Sequence, residues 1–201
     1  RLVFKYSNKF FYAYDIITLL KYKEAVLVQV ITTRLEAEEA KIIYQETAGL
    51  AIITINRPQA KNALTANMWD ELARIALLSL ENPKNKVLLI RGAGANFTAG
   101  SDIKEFNSIS LEEAEEAFIH MENTISTIEN LPIPVIGVIN GPAMGAGLEL
   151  ALACDIRIGS DNARLGIPVG KLGITLNNTF AKRLVDLVGP SKTKDFVFTG
   201  R

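Results

Sequence analysis

Pro134-Val135-Ile136-Gly137-Val138-Ile139-Asn140-Gly141-Pro142-Ala143-Met144-Gly145-Ala146-Gly147-Leu148-Glu149-Leu150-Ala151-Leu152-Ala153 runs from one apolar segment through a cluster of small residues into a second apolar segment. Residues 134–139 read as a buried strand and 148–153 as a helix. Between them Gly145-Ala146-Gly147 lets the backbone bend tightly with little side-chain bulk. A strand, a glycine loop and a helix in that order present free backbone N–H groups and the positive end of a helix dipole to a ligand. Glu149 falls in the first helical turn, next to those amides. Two readings stay open. Glycine-rich turns also serve packing alone, and a glutamate there is ordinary dipole complementation. The spacing matches neither a dinucleotide-binding fingerprint nor a phosphate loop followed by Lys-Ser/Thr.

Composition narrows the classes. A chain of 201 residues can bury one full core, and 48% apolar with 22% charged residues is the balance of a soluble globular protein. Zero net charge and a pI near 6.8 give no electrostatic footprint for nucleic acid. One cysteine, Cys154, excludes an internal disulfide, fits a reducing and hence cytoplasmic setting, and reads as buried filler. With His120 as the only histidine, neither a zinc cluster nor a Ser-His-Asp relay can be assembled, so no metal is expected. The apolar stretch 10–20 is too short and is interrupted by Asp15, so no membrane span is expected there. Residues 1–40 differ from the rest and read as an upstream extension or leader; Lys5 and Lys9 lend a signal-peptide look, but no small-x-small cleavage site follows.

From residue 42 onward the pattern is regular. Ile42-Ile43-Tyr44-Gln45-Glu46 and Leu50-Ala51-Ile52-Ile53-Thr54-Ile55 flank Thr47-Ala48-Gly49, which predicts a hairpin. Thr65 is the expected N-cap of a helix whose inner face carries Met68, Leu72, Ile75, Ala76 and Ser79 and which Asn82-Pro83 closes. Val87-Leu88-Leu89-Ile90 reads as a buried strand, followed by a second small-residue loop through Phe97-Thr98-Ala99-Gly100-Ser101-Asp102-Ile103-Lys104. Ser110-Leu111-Glu112-Glu113 is a capping box, with Leu111, Ala114, Phe118, Met121, Ile125 and Ile128 on one helical face; Glu112, Glu113, Glu115 and Glu116 read as solvated. A strand over 155–159, a helix over 179–188 stopped by Gly189-Pro190, and another from Ser191 complete the series. Alternating strands and helices predict an α/β fold, a sheet with covering helices.

The second loop decides what the first is for. Two backbone N–H groups from separate loops can converge on one carbonyl oxygen and form an oxyanion hole. The residues that carry these loops, Phe97-Thr98-Ala99-Gly100-Ser101-Asp102-Ile103-Lys104-Glu105 and Asn140-Gly141-Pro142-Ala143-Met144-Gly145-Ala146-Gly147-Leu148-Glu149-Leu150-Ala151 with Cys154-Asp155, resemble the enoyl-CoA hydratase/isomerase (crotonase) family. Asn56-Arg57-Pro58, Asn62-Ala63-Leu64, Lys171-Leu172-Gly173, Gly189-Pro190 and Thr199-Gly200-Arg201 match further landmarks in register, so the resemblance covers residues 42–201.

The resemblance implies a crotonase-like ββα spiral over 41–201, with the family's C-terminal helical region missing after the Thr-Gly-Arg landmark. It implies that the N–H groups of Ser101 and Ala146 meet a thioester oxygen, the Ser101 hydroxyl lying nearby. Lys61, Ala63, Leu64, Asp102, Ile103 and Lys104 would hold the nucleotide end of coenzyme A, which enters as part of the acyl- or enoyl-CoA substrate; no separate cofactor is implied. Glu149 takes the place of the family's water-activating glutamate. Val169 stands where the second catalytic glutamate belongs, and valine neither donates nor accepts a proton. Leu176-Asn177-Asn178-Thr179-Phe180 replaces a Pro/Gly-rich family segment and reads as helix capping. The implied activity is hydration of a trans-2-enoyl-CoA in fatty-acid metabolism, by a homotrimer or hexamer. Isomerisation, decarboxylation or thioester hydrolysis is the alternative; the classical isomerase keeps its carboxylate at the position of Val169, which disfavours that subtype. A CoA-thioester-binding homologue with little turnover is the non-enzyme alternative.

Overall fold

The computed structural model describes residues 3–6, 9–12, 41–173 and 175–200. β1 (Val3–Tyr6) and β2 (Lys9–Tyr12) pair antiparallel. The rest of the expected extension, Ile174 and the final Arg201 lie outside the described residues.

β3 (Ile42–Thr47) and β4 (Leu50–Ile55) form the expected hairpin. Its tip, Ala48-Gly49, has positive φ at both residues (49° and 83°), the geometry that matches strand twist in a two-residue loop. β5 (Val87–Gly92), β6 (Val135–Ile139) and β8 (Ile156–Gly159) follow in parallel, giving the order β3-β4-β5-β6-β8. β4 is buried throughout: Ala51, Ile53 and Ile55 enter the larger core, while Leu50 and Ile52 meet Val87 and Ile136 on the opposite face. That two-sided burial is why the strand reads as an apolar run interrupted only by Thr54, as central strands of parallel sheets do.

Helices bridge the parallel strands. α1 (Ala66–Leu78) starts at Thr65, whose hydroxyl accepts from the Met68 N–H, and buries Met68, Trp69, Leu72, Ile75 and Ala76. It ends before Asn82-Pro83, because Ser79 caps it and Leu80 and Glu81 tighten into i→i+3 bonds. α2 (Ile103–Phe106) and α3 (Leu111–Glu129) link β5 to β6, and the Ser110–Glu113 capping box is formed in both directions. Burial on α3 begins only at Ala117, so its first turns stand clear of the core. Leu111 is therefore 78% exposed, and half-exposed Phe118 stacks on Phe106 of α2, with ring centroids 5.0 Å apart; neither packs inside as the periodicity predicted. Glu112, Glu113, Glu115 and Glu116 are solvated as expected. Cys154 is buried filler, its thiol directed at the Leu150 carbonyl.

β7 (Pro142–Met144) is a short strand that the sequence reading did not anticipate; it pairs with β9 (Arg164–Gly166). α4 (Ala146–Ala153) follows β7, α5 (Val169–Leu172) follows β9, and α6 (Asn178–Thr199) ends the described chain. α6 is two helices joined at Gly189 (φ 77°, ψ 165°), the break predicted from Gly189-Pro190.

One buried side chain ties the loop after β4 to the loop after β5. Asn62 has left-handed φ (57°), a region asparagine tolerates better than most residues. Its amide nitrogen donates to the carbonyls of Ala93 (2.8 Å), Asn96 (2.8 Å) and Phe97 (3.2 Å), and its amide oxygen accepts the Arg57 N–H at 3.0 Å. Asn62→Ala leaves these groups without their partner and keeps the φ penalty. It should cost about 3 kcal/mol in a denaturant unfolding curve.

Candidate active site

Three loops leave the sheet and are joined backbone to backbone. Leu64 N–H donates to Gly100 C=O and Asp102 N–H donates back to Leu64 C=O, both at 2.8 Å. Phe97 N–H donates to Pro142 C=O and Met144 N–H to Thr98 C=O, both at 3.1 Å; Gly145 N–H reaches Gly166 C=O at 3.0 Å. Glu105 of α2 adds a side-chain tie, accepting the Ala66 N–H at 2.9 Å at the start of α1.

This network brings the Ser101 loop against the N-terminus of α4. A Cβ on Gly100 would stand 2.7 Å from the Met144 oxygen and 3.0 Å from the Ala146 nitrogen, and Gly100 has φ +89°, so the close approach requires glycine. A Cβ on Gly147 would meet the Thr98 oxygen at 2.4 Å. Among the described residues, neither the Ser101 N–H nor the Ala146 N–H has a hydrogen-bond partner. Gly145 opens α4 with no side-chain cap, so the first-turn amides keep their dipole for an incoming group.

The Ser101 hydroxyl does not belong to this pair of donors. It accepts the Trp69 indole N–H at 3.1 Å and donates toward the Met121 sulfur at 3.4 Å, so its role is to seat the loop on α1 and α3.

Glu149 lies one turn beyond Ala146 on the same side of α4. It is 1% exposed and accepts from Arg183 Nη1 of α6 at 2.7 Å. The same guanidinium meets Glu122 (2.8 Å), Glu129 (2.9 Å) and the Ser126 hydroxyl (3.1 Å) of α3. Burial raises the Glu149 carboxyl to about 8; the Glu122 charge adds to the rise and Arg183 opposes it. Asn177 caps α6 by accepting the Phe180 N–H at 2.7 Å, as expected, and its amide also donates to Glu122 at 3.1 Å.

The residues expected to hold coenzyme A divide into two groups. Lys61, Ile103 and Lys104 are exposed beside the loops. Ala63, Leu64 and Asp102 face inward. Ala63 C=O accepts from Arg57 at 3.2 Å, Leu64 is fully buried with both backbone groups used, and Asp102 is ion-paired to Arg57 while capping α2. Arg57 holds the Asp102 carboxyl below the usual carboxylate range against the opposing effect of burial. Val169 is buried in an apolar cluster with Leu148, Ile167, Phe180 and Leu184.

Arg183 and its α3 partners escaped the sequence reading. Glu122, Ser126 and Glu129 recur at helical spacing one position after Met121, Ile125 and Ile128. A polar stripe beside an apolar one was the available signal, and an arginine preceding Leu184 in an amphipathic helix was its counterpart.

The sequence model of the family described as enoyl-CoA hydratase/isomerase matches residues 45–201. Crotonyl-CoA hydratase of Syntrophomonas wolfei is 38% identical over 159 residues, which cover 79% of this chain and 61% of that protein. Short-chain-enoyl-CoA hydratase of Clostridium acetobutylicum is 37% identical over 162 residues, covering 80% and 62% respectively. The solved structure of enoyl-CoA hydratase from Bacillus anthracis superposes with a TM-score of 0.77 at 35% identity, covering 80% of this chain and 63% of that one. The chain thus spans about 60% of the length of the relatives it matches.

Two outcomes follow from this geometry. Ser101→Ala keeps the backbone donor but removes the acceptor of a buried indole N–H, so it should lower stability by about 1–2 kcal/mol in thermal or denaturant unfolding. For Glu149 the native carboxyl holds its proton more tightly than the unfolded one, whose ordinary value is 4.5. Its contribution to stability therefore declines as pH rises from about 4.5 to 8. Comparing the wild type with Glu149→Gln across that window should show the wild type losing ground with rising pH.

Proposed function

The chain belongs to the enoyl-CoA hydratase/isomerase family, and on that premise we propose that it acts on acyl- or enoyl-CoA thioesters, with hydration of a trans-2-enoyl-CoA as its reaction. The observation that carries the reading is the pair of amides, Ser101 N–H and Ala146 N–H, without partners among the described residues and on two loops that bonds and a close glycine contact bring together, with a buried carboxyl one turn away. The names of the hydratase relatives support the same reaction.

In this mechanism the two amides donate to the thioester oxygen. As the water oxygen bonds to the β-carbon, the double-bond electrons move onto the thioester as an enolate, and the amides stabilise the negative oxygen. Such donors are each worth about 3 kcal/mol in the transition state. Ionised Glu149 takes the proton that the water loses and returns it to the α-carbon. Val169 offers no second proton carrier. Lys61 and Lys104 meet the phosphates of coenzyme A, Ile103 lies against its nucleotide end, and Ala63, Leu64 and Asp102 keep that loop in shape. Assembly is as a trimer or paired trimers, and exposed apolar side chains such as Leu111, Ile119 and Phe198 supply candidate contact surface.

A second reading is binding of CoA thioesters with little turnover. It draws support from Val169, whose apolar setting leaves the family's second acid without a substitute at that position.

Steady-state assay against a panel of enoyl-CoA substrates, beside calorimetric CoA-thioester binding, separates the two. Glu149→Gln should reduce kcat by about 10²–10⁴-fold while thioester binding survives. The wild-type kcat/KM should rise with pH toward a plateau above about 8, the value at which Glu149 ionises. Binding without turnover on every member of the panel would favour the second reading.

A further inference from the structure

Residue 169 supplies no carboxyl group, yet Glu149 does not stand alone. Arg183 Nη1 donates to Glu149 Oε1 at 2.7 Å and to Glu122 Oε1 at 2.8 Å, so the two carboxyl oxygens share one donor nitrogen. They can be no further apart than the sum of those two contacts. We propose that Glu122 is the second carboxyl group of this site: a positioning residue that pairs with Glu149 across the Arg183 guanidinium and tunes it as a proton acceptor. This rests on the hydration reading only for its catalytic consequence; the pairing itself does not.

Charge balance and hydrogen bonding place the proton. One guanidinium faces three carboxyl groups, Glu122, Glu129 and Glu149, in a setting where Arg183 is 5% exposed and Glu149 1% exposed. Uncompensated charge is costly there, so the cluster retains a proton. One oxygen of Glu129 accepts from both Nε (3.2 Å) and Nη2 (2.9 Å) of Arg183. Glu122 accepts from three donors: Arg183, the Ser126 hydroxyl at 3.3 Å and the Asn177 amide at 3.1 Å. Glu149 accepts a hydrogen bond from Arg183 and stands within hydrogen-bonding reach of Glu122. The retained proton rests on Glu149, the most enclosed of the three, where burial holds it first and the Glu122 charge beside it adds to that hold.

The elements packed against α4 are α3, α6 and β7, and β7 (Pro142–Met144) carries no charged residue. Their charged groups facing Glu149 are Glu122 and, through Arg183, Glu129 from α3, and Arg183 itself from α6. Glu122 is also the more solvent-accessible member, with 23% of its side chain exposed. It thereby connects a fully enclosed carboxyl to the surface. In the reaction an anionic Glu122 makes ionised Glu149 a stronger base toward water. The proton from water then stays on Glu149 until the α-carbon of the enolate takes it, and the pair ends with the proton count it began with.

The test is Glu122→Gln, which keeps the shape and much of the hydrogen bonding while removing the charge. Carbon-13 NMR of δ-labelled glutamates in the substrate-free chain, with Glu149→Gln to assign the signal, reads the Glu149 titration directly. The expected result is a midpoint near 8 in the wild type that falls in Glu122→Gln yet stays above the ordinary carboxylate value, because the burial remains. In turnover the rising limb of kcat/KM should move to lower pH by the same amount, with a plateau at least about tenfold lower. Glu129→Gln, which removes a different partner of Arg183, gauges the stability cost of disturbing the cluster. If both variants are merely less stable and the Glu149 midpoint stays where it was, Glu122 is packing only and the proposal fails. If the midpoint moves but no enoyl-CoA is hydrated even by the wild type, the pair stands and the hydration reading falls.

Discussion

Met144 N–H to Thr98 C=O is a plain 3.1 Å backbone bond, and with its companions it fixes everything that follows. It joins the loop after β6 to the loop after β5, as Leu64 joins the loop after β4 to the stretch around Ser101. Once those bonds are made, the N–H groups of Ser101 and Ala146 have no partner among the described residues. Because the donors are main-chain groups, their position depends on whether the loops close and hardly at all on which side chain each residue carries. The residues that matter most for closing are small ones: a Cβ at Gly100 or Gly147 would sit where a neighbouring backbone atom already is.

That frame also dictates the electrostatics. Placing a carboxyl in the first turn of α4 satisfies the helix dipole, but its burial makes ionisation costly. Arg183 answers part of that cost, yet brings two further glutamates with it, so the cluster remains short of positive charge. Buried ion pairs of this kind seldom add much net stability, since desolvation offsets most of the attraction. Here the arrangement has a different consequence: a proton held near neutral pH by an enclosed carboxyl, in a helix whose first amide has no partner among the described residues.

The features legible in the sequence were those set by local rules. The Thr47-Ala48-Gly49 turn, the Thr65 cap, the Ser110 capping box and the Gly189-Pro190 break each follow from a few adjacent residues, and each stands where expected. The two small-residue loops were legible for the same reason. Leu111 and Phe118 were misread because periodicity shows which face is apolar but not how far along a helix the core extends. The β7–β9 pairing was missed because Pro142-Ala143-Met144 and Arg164-Leu165-Gly166 are too short to show any period. Arg183 was missed for a tertiary reason: its partners come from α3 and α4, more than thirty residues away in sequence. The Ser101 hydroxyl turned out to serve Trp69 and Met121, a contact set by side-chain packing that no spacing reveals.

The central claim is that two amides from separate loops polarise one thioester carbonyl. Isotope-edited infrared spectroscopy of acetyl-CoA carrying carbon-13 at the thioester carbonyl, free and bound to the chain, measures that polarisation in the bond itself. Two donors converging on the oxygen weaken the C=O bond, so the carbonyl stretch should move to lower frequency on binding. A bound thioester whose stretch stays at its free-solution frequency would contradict the account, because the ligand would then be held by contacts that leave its carbonyl untouched.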